Sequence, residues 1–130
     1  MDICIDSNIF AHTDFLQWIA DNQINVFLPS IAFMETAYHQ TKTYGGSLAG
    51  FISMLGGLKI TIVPFDRELA LIAAKNAAMK HDLKANATDH AIGALAYRRK
   101  IPMITCNKKH FTALEEVYTP DEFMKKYRVK

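Results

Sequence analysis

A chain of 130 residues, half of them apolar, is long enough to bury one core and too short for two, so a single domain over 1–130 is expected. Its net charge of +2 is too small to argue for nucleic acid by itself, and no apolar run reaches the roughly 18 residues of a membrane-spanning helix. With no basic leader after Met1-Asp2 and no Cys or Cys/His spacing of the zinc kind, the expectation is a soluble cytoplasmic protein with reduced thiols.

Ile3-Cys4-Ile5 is a short apolar run rich in β-branched side chains, the pattern of a strand buried on both faces, and Asp6 stands where it stops. Residues 14–21 carry Phe15, Trp18 and Ile19 at helical spacing, Asn22 turns the chain, and Val26-Phe27-Leu28 is a second strand. Pro29-Ser30 opens a helix over about 31–40, with Ile31, Met34, Ala37 and Tyr38 on one face and Glu35 near its middle. Gly45-Gly46 breaks the chain, a helix follows over 47–55, and Gly56-Gly57 stops it. Residues 59–63 (KITIV) are the clearest strand, and Asp66 is a natural N-cap for a helix over 67–80 with Leu69, Ile72, Ala73 and Ala77 inward.

A polar turn over 81–85 leads to Asn86-Ala87-Thr88-Asp89 and an Ala-rich helix to about Arg99. Residues 102–105 form a further buried strand ending at Cys106-Asn107, so Cys4 and Cys106 are both expected in the core. A short helical piece around Phe111–Leu114 and an extended Val117-Tyr118 precede a last helix. That helix opens with Thr119 at N-cap, Pro120 at N1 and Glu122 at N3, a capping box. Strands alternating with helices argue for an α/β domain with a mostly parallel central sheet. In such a sheet, ligands bind outside the carboxyl ends of the strands, where Asp6 stands.

Asp6, Glu35 and Asp89 are the carboxylates set among apolar neighbours, and no buried Arg or Lys is in sight to match them. A charge placed in a core-facing pattern is costly unless it finds a partner. A hard divalent cation is an economical one, because Mg²⁺ and Mn²⁺ take carboxylate oxygens and keep several waters.

Asp6-x-Asn8 after a first strand, Glu35 in a helix opened by Pro29-Ser30, Asp89 within Asn86-x-x-Asp89-x-x-Ile92-x-Ala94, and Ile104-Thr105-x-Asn107-x-x-x-Phe111 together resemble the PIN-domain ribonucleases. The closing run from Val117 to Phe123 is similar to the family's usual tail, so the likeness runs in order along the whole chain. It implies a PIN-like three-layer α/β domain, a central sheet flanked by helices. Small members of this size are typically toxins of VapBC-type toxin–antitoxin pairs, which implies a homodimer, a small antitoxin partner and an RNA substrate.

Carried over residue by residue, the resemblance makes Asp6, Glu35 and Asp89 the catalytic, metal-binding acids of a Mg²⁺- or Mn²⁺-dependent endoribonuclease, with Asn107 a further ligand. Asn8 would order Asp6, Thr105 would close the site from the neighbouring strand, His110 would stand at its edge, and Lys108 and Lys109 would contact phosphate. Many members carry an acid at the position of Asn107 or just before the Phe. Here the latter position is His110, so the fourth carboxylate is missing and a second metal site is weakened. Asp82 and Glu115 would replace it only if their loops reach the site.

Plainer readings stand beside these. Asp6 caps the next turn, Asn86 and Asp89 form a reciprocal capping box, and Glu35 meets His39 one helical turn on. Ser7 and Asn8 are turn formers. Lys108-Lys109, like Arg98-Arg99-Lys100 and Lys125-Lys126, is a solvated charge run. His90 points about 100° away from Asp89 around the helix and is a flanking residue. Two rival functions follow: a PIN-like module that binds RNA or protein without cutting, and a phosphatase using Asp6 as nucleophile. The latter is disfavoured because Asn8 stands where a second acid belongs.

Overall fold

β1 (Asp2–Ile5) lies at the centre of a five-stranded sheet whose pairings are all parallel. Ile3, Cys4 and Ile5 are fully buried, as a continuous apolar run covered on both faces requires. The structure, a computed structural model, describes residues 1–42 and 47–127; the predicted break at Gly45-Gly46 lies outside the described residues. On one side β1 pairs with β2 (Asn25–Pro29), Ile3 opposite Val26, and β3 (Ile60–Val63) pairs beyond it. On the other side come β4 (Met103–Ile104), with Cys4 opposite Met103, and β5 (Val117–Tyr118).

The order β3-β2-β1-β4-β5 means that the chain builds outward one way from β1 and then returns to build the other way. The crevice at the carboxyl ends of β1 and β4 is therefore a topological switch point, the place where an open α/β sheet leaves room for a ligand. Helices α1 (Thr13–Asp21), α2 (Ser30–Lys42), α3 (Leu48–Gly57), α4 (Arg67–Lys80), α5 (Leu83–Arg99) and α6 (Pro120–Lys126) flank the sheet. This is the α/β arrangement expected, with a sheet that is wholly parallel among the described strands.

Local signals place several of these elements. Asp66 caps α4 by accepting from the Leu69 N–H at 2.9 Å. At α6, Thr119 accepts from the Glu122 N–H at 3.2 Å, and the Glu122 carboxylate accepts from the Thr119 N–H at 2.9 Å. The rings of Phe15 and Trp18 on α1 meet Phe123 on α6 at 6.4 and 5.7 Å, locking the last helix to the first.

The structure corrects the sequence reading in several places. α2 turns Ala32 and Thr36 inward, while Met34 and Tyr38 are 60% and 56% exposed. Thr36 can be buried because its hydroxyl donates to the Ala32 carbonyl at 3.0 Å. Cys106 is exposed, since β4 is only two residues long and the chain has left the sheet by then; its sulfur lies 3.1 Å from Nε2 of His12. α5 starts at Leu83, earlier than predicted, and leaves helical geometry at Asn86 (φ −130°, ψ 29°). The short helical piece is a 3₁₀ turn over Lys108–His110 rather than a helix over Phe111–Leu114.

Candidate active site

Asp6 directly follows β1 with its backbone N–H bonded to the Ile104 carbonyl at 3.1 Å, and the residue is only 4% exposed. One carboxylate oxygen, Oδ1, accepts from the Ser7 N–H at 2.7 Å; the other, Oδ2, accepts from the Thr105 hydroxyl at 2.8 Å. The capping reading of Asp6 is thus realised in the 3₁₀ turn over Ser7–Ala11, and it coexists with a place in the crevice. Ser7 adds a link absent from the sequence reading. Its hydroxyl donates to Oε1 of Glu35 at 3.0 Å and lies 3.4 Å from Oδ1 of Asp6, so one Ser stands between two acids 29 positions apart along the chain. The only signal for it was a hydroxyl between Asp6 and Asn8 at a strand end.

Glu35 comes from α2, half-buried and turned to Ser7 rather than to His39. Asp89 comes from α5. Burial above all, then the negative charge of Asp6, holds its carboxyl above the usual Asp value, while His110 and His90 pull it down. His110 Nδ1 lies 3.2 Å from Asp89 Oδ2, so the residue that stands in place of the missing acid pairs with one of the acids present. Asp6 is thus held by Thr105 and linked through Ser7 to Glu35, while Asp89 pairs with His110.

The remaining predicted residues frame this centre. Asn8 accepts from the Cys106 N–H at 3.3 Å, tying the 3₁₀ turn to the end of β4. Thr105, fully buried, also accepts from the Asn107 N–H at 3.0 Å, which fixes the backbone of Asn107 beside Asp6 and leaves its side chain exposed. Lys108 is engaged with Glu122 at 2.9 Å, and Lys109 is exposed with no ion-pair partner among the described residues. Asp82 does not reach the site: its carboxylate meets Asn86 at 2.9 Å and His90 at 2.6 Å. The predicted Asn86–Asp89 capping box is therefore not formed. Glu115 lines a separate groove with Tyr97 and Lys100, beyond the far end of α5.

The donor set is carboxylate oxygen, and neither Asp6 nor Glu35 has a Lys or Arg partner among the described residues. Carboxylates with no organic cation beside them fit a hard divalent ion in charge and in chemistry. Among the described residues no three acid, His or Cys side chains stand close enough to enclose an ion. The fit is therefore to an ion held through one or two carboxylates and its own waters, the habit of Mg²⁺.

The family model described as the PIN domain matches residues 3–117, a span that contains Asp6, Glu35, Asp89 and Asn107. Similar solved structures include that of FitAcB from Neisseria gonorrhoeae, at 22% identity over 91% of this chain and 97% of that one, with a TM-score of 0.69. VapBC2 from Rickettsia felis bound to a promoter DNA fragment gives 17% identity, 91% and 97% coverage and a TM-score of 0.69. A toxin–antitoxin complex from Klebsiella pneumoniae gives 21%, 91% and 97%, and 0.66. At these identities the likeness is one of fold. Among curated proteins none matches the chain by sequence.

Proposed function

The chain belongs to the PIN-domain family, and from that premise we propose that it is a Mg²⁺- or Mn²⁺-dependent endoribonuclease and the toxin component of a toxin–antitoxin pair. The observation that carries the reading is the link from Asp6 through Ser7 to Glu35 in the switch-point crevice, with Asp89 near enough for the charge of Asp6 to be felt.

In this reading one or two of Asp6, Glu35 and Asp89 would hold the ion directly, and the remaining acid side chains with Asn107 would hold its waters. A bound Mg²⁺ or Mn²⁺ supplies a water of lowered pKa and positive charge at the scissile phosphate. Thr105 and the Ser7 N–H hold the two oxygens of Asp6 in fixed directions, so the acid need not reorganise when the substrate arrives. Asn8 keeps the turn that carries Ser7 against the end of β4. Lys109, with Lys108 when it leaves Glu122, meets the phosphates of a single strand. Hydrolysis at that phosphate would join the water oxygen to phosphorus and break the bond to the 3′ oxygen, the proton lost by the water being balanced by the one the 3′ oxygen takes up, which leaves a 5′-phosphate and a 3′-hydroxyl with no protein nucleophile.

The likeness to a toxin–antitoxin complex supports a small antitoxin partner; a homodimer and a cytoplasmic location complete the proposal. Among the described residues no helix is long and apolar enough to cross a membrane. One observation favours a second reading, a PIN module that binds RNA or protein without cutting. His110 occupies the place of the fourth acid and pairs with Asp89, reducing the negative charge available to an ion.

The deciding experiment is incubation of a mixed pool of structured and single-stranded RNA with the wild type, Asp6→Asn and Asp89→Asn, in Mg²⁺, Mn²⁺ or EDTA. Cuts that need the metal and vanish in both variants support the nuclease. Absence of such cuts, with RNA still bound, supports the non-cutting module.

A further inference from the structure

We propose that Asp82 and His90 are positioning residues for Asp89: their hydrogen-bonded pair sets the rotation of α5 at which Asp89 is presented to the crevice. The inference rests on the reading of Asp6, Glu35 and Asp89 as ion-binding acids.

α5 is interrupted just where its phase matters. It begins at Leu83, departs from helical geometry at Asn86, and is helical again through Asp89. A break three residues before Asp89 frees the later turns from the direction imposed by the first one. Asp82 spans that break. Its Oδ2 accepts from the Asn86 side-chain amide at 2.9 Å, and its Oδ1 lies 2.6 Å from Nε2 of His90. Although Asp82 occupies the N-cap position, its side chain makes no capping bond to the backbone, so ordinary capping is not what it does.

His90 is 5% exposed and directly follows Asp89. Successive helical residues point 100° apart, so fixing the ring of one fixes the direction of the other. Two further contacts show that the direction is used. His110 meets Asp89 at 3.2 Å, and Gly93, one turn on, lets Phe111 approach so closely that a Cβ there would lie 3.1 Å from its Cδ1. Asp89 therefore stands between a clamp at the start of the helix and a close approach one turn later.

The test compares the wild type with His90→Leu, His90→Gln and Asp82→Asn as full-length chains. It measures Mn²⁺ affinity by titration calorimetry, the thermal midpoint in EDTA, and kcat and KM on RNA. His90→Leu is expected to bind Mn²⁺ about 10- to 100-fold more weakly, the usual effect of removing a residue that orients a ligand, with kcat falling in step. KM should stay within about twofold. His90→Gln, which keeps a donor toward Asp82, should recover most of the affinity, and Asp82→Asn should fall between. Wild-type Mn²⁺ affinity in folded His90→Leu, or in folded Asp82→Asn should His90→Leu fail to fold, overturns the inference alone. A lowered midpoint with unchanged affinity likewise marks a merely structural pair. A wild type that binds no Mn²⁺ overturns the reading of the acids, and this inference with it.

Discussion

The Thr105 hydroxyl donates to Oδ2 of Asp6 at 2.8 Å, joining the carboxyl ends of β1 and β4 across the point where the sheet changes direction. The Thr105 hydroxyl oxygen in turn accepts from the Asn107 N–H at 3.0 Å, so one buried hydroxyl sets both the acid and the loop that follows.

Thr105→Val keeps the shape and removes both bonds. Because the side chain is fully buried, the groups left behind are poorly placed to find water, and the loss should be about 1–3 kcal/mol in urea unfolding. Thr105→Ser keeps the hydroxyl and loses one methyl, worth about 0.8 kcal/mol. If the valine variant is as stable as the wild type, the bond to Asp6 contributes nothing.

A pH dependence follows from Asp89. Burial, and then the charge of Asp6, raise its pKa above the ordinary 3.8 in the folded protein. Without metal, the folded state binds this proton more tightly than the unfolded chain, so stability falls as pH rises from the ordinary value through the raised one. Asp66, Asp82 and Glu122 are held below their ordinary values by hydrogen bonds and act oppositely, losing stability as pH falls. The difference in thermal midpoint between Asp89→Asn and the wild type, both in EDTA, isolates Asp89. It should be smallest below about pH 4 and grow toward neutrality. A difference that does not change with pH contradicts this.

What the sequence disclosed was what local chemistry decides. The apolar run before Asp6, the Asp66 cap and the Thr119–Glu122 box need no distant partner, and each stands as read. The family resemblance also implied that Thr105 and Asn8 stand near Asp6, and Thr105 bonds Asp6 while Asn8 ties the turn after Asp6 to Cys106. Other features depend on contacts that periodicity does not carry. Thr36 is buried through a bond to its own helix, so counting apolar residues turned α2 the wrong way. Ser7 joins Asp6 to Glu35 only once α2 has packed beside the 3₁₀ turn. The Asp82–His90 pair spans a helix break, and its eight-residue spacing matches no helical contact rule.

The two adjacent lysines should differ in their use. Lys108 and Glu122, both about half exposed, form a surface pair at 2.9 Å of the kind worth under about 1 kcal/mol, whereas Lys109 has no such partner among the described residues. In EDTA, where RNA is bound and not cut, Lys109→Ala should reduce the slope of log affinity against log salt by about 0.7. Lys108→Ala should reduce it less, and should change stability by less than about 0.5 kcal/mol. Fluorescence anisotropy with a labelled single strand at several salt concentrations measures both. A larger effect from Lys108 would show that its pairing with Glu122 does not hold it back.

The most direct test of the account is the chemistry of the cut ends. RNA cleaved by the wild type in Mn²⁺ should carry 5′-phosphate and 3′-hydroxyl termini, as hydrolysis by an activated water requires, and Asp6→Asn should produce none of them. Termini bearing a 2′,3′-cyclic phosphate, or cleavage that survives in Asp6→Asn and in EDTA, would contradict a metal-dependent centre built on Asp6.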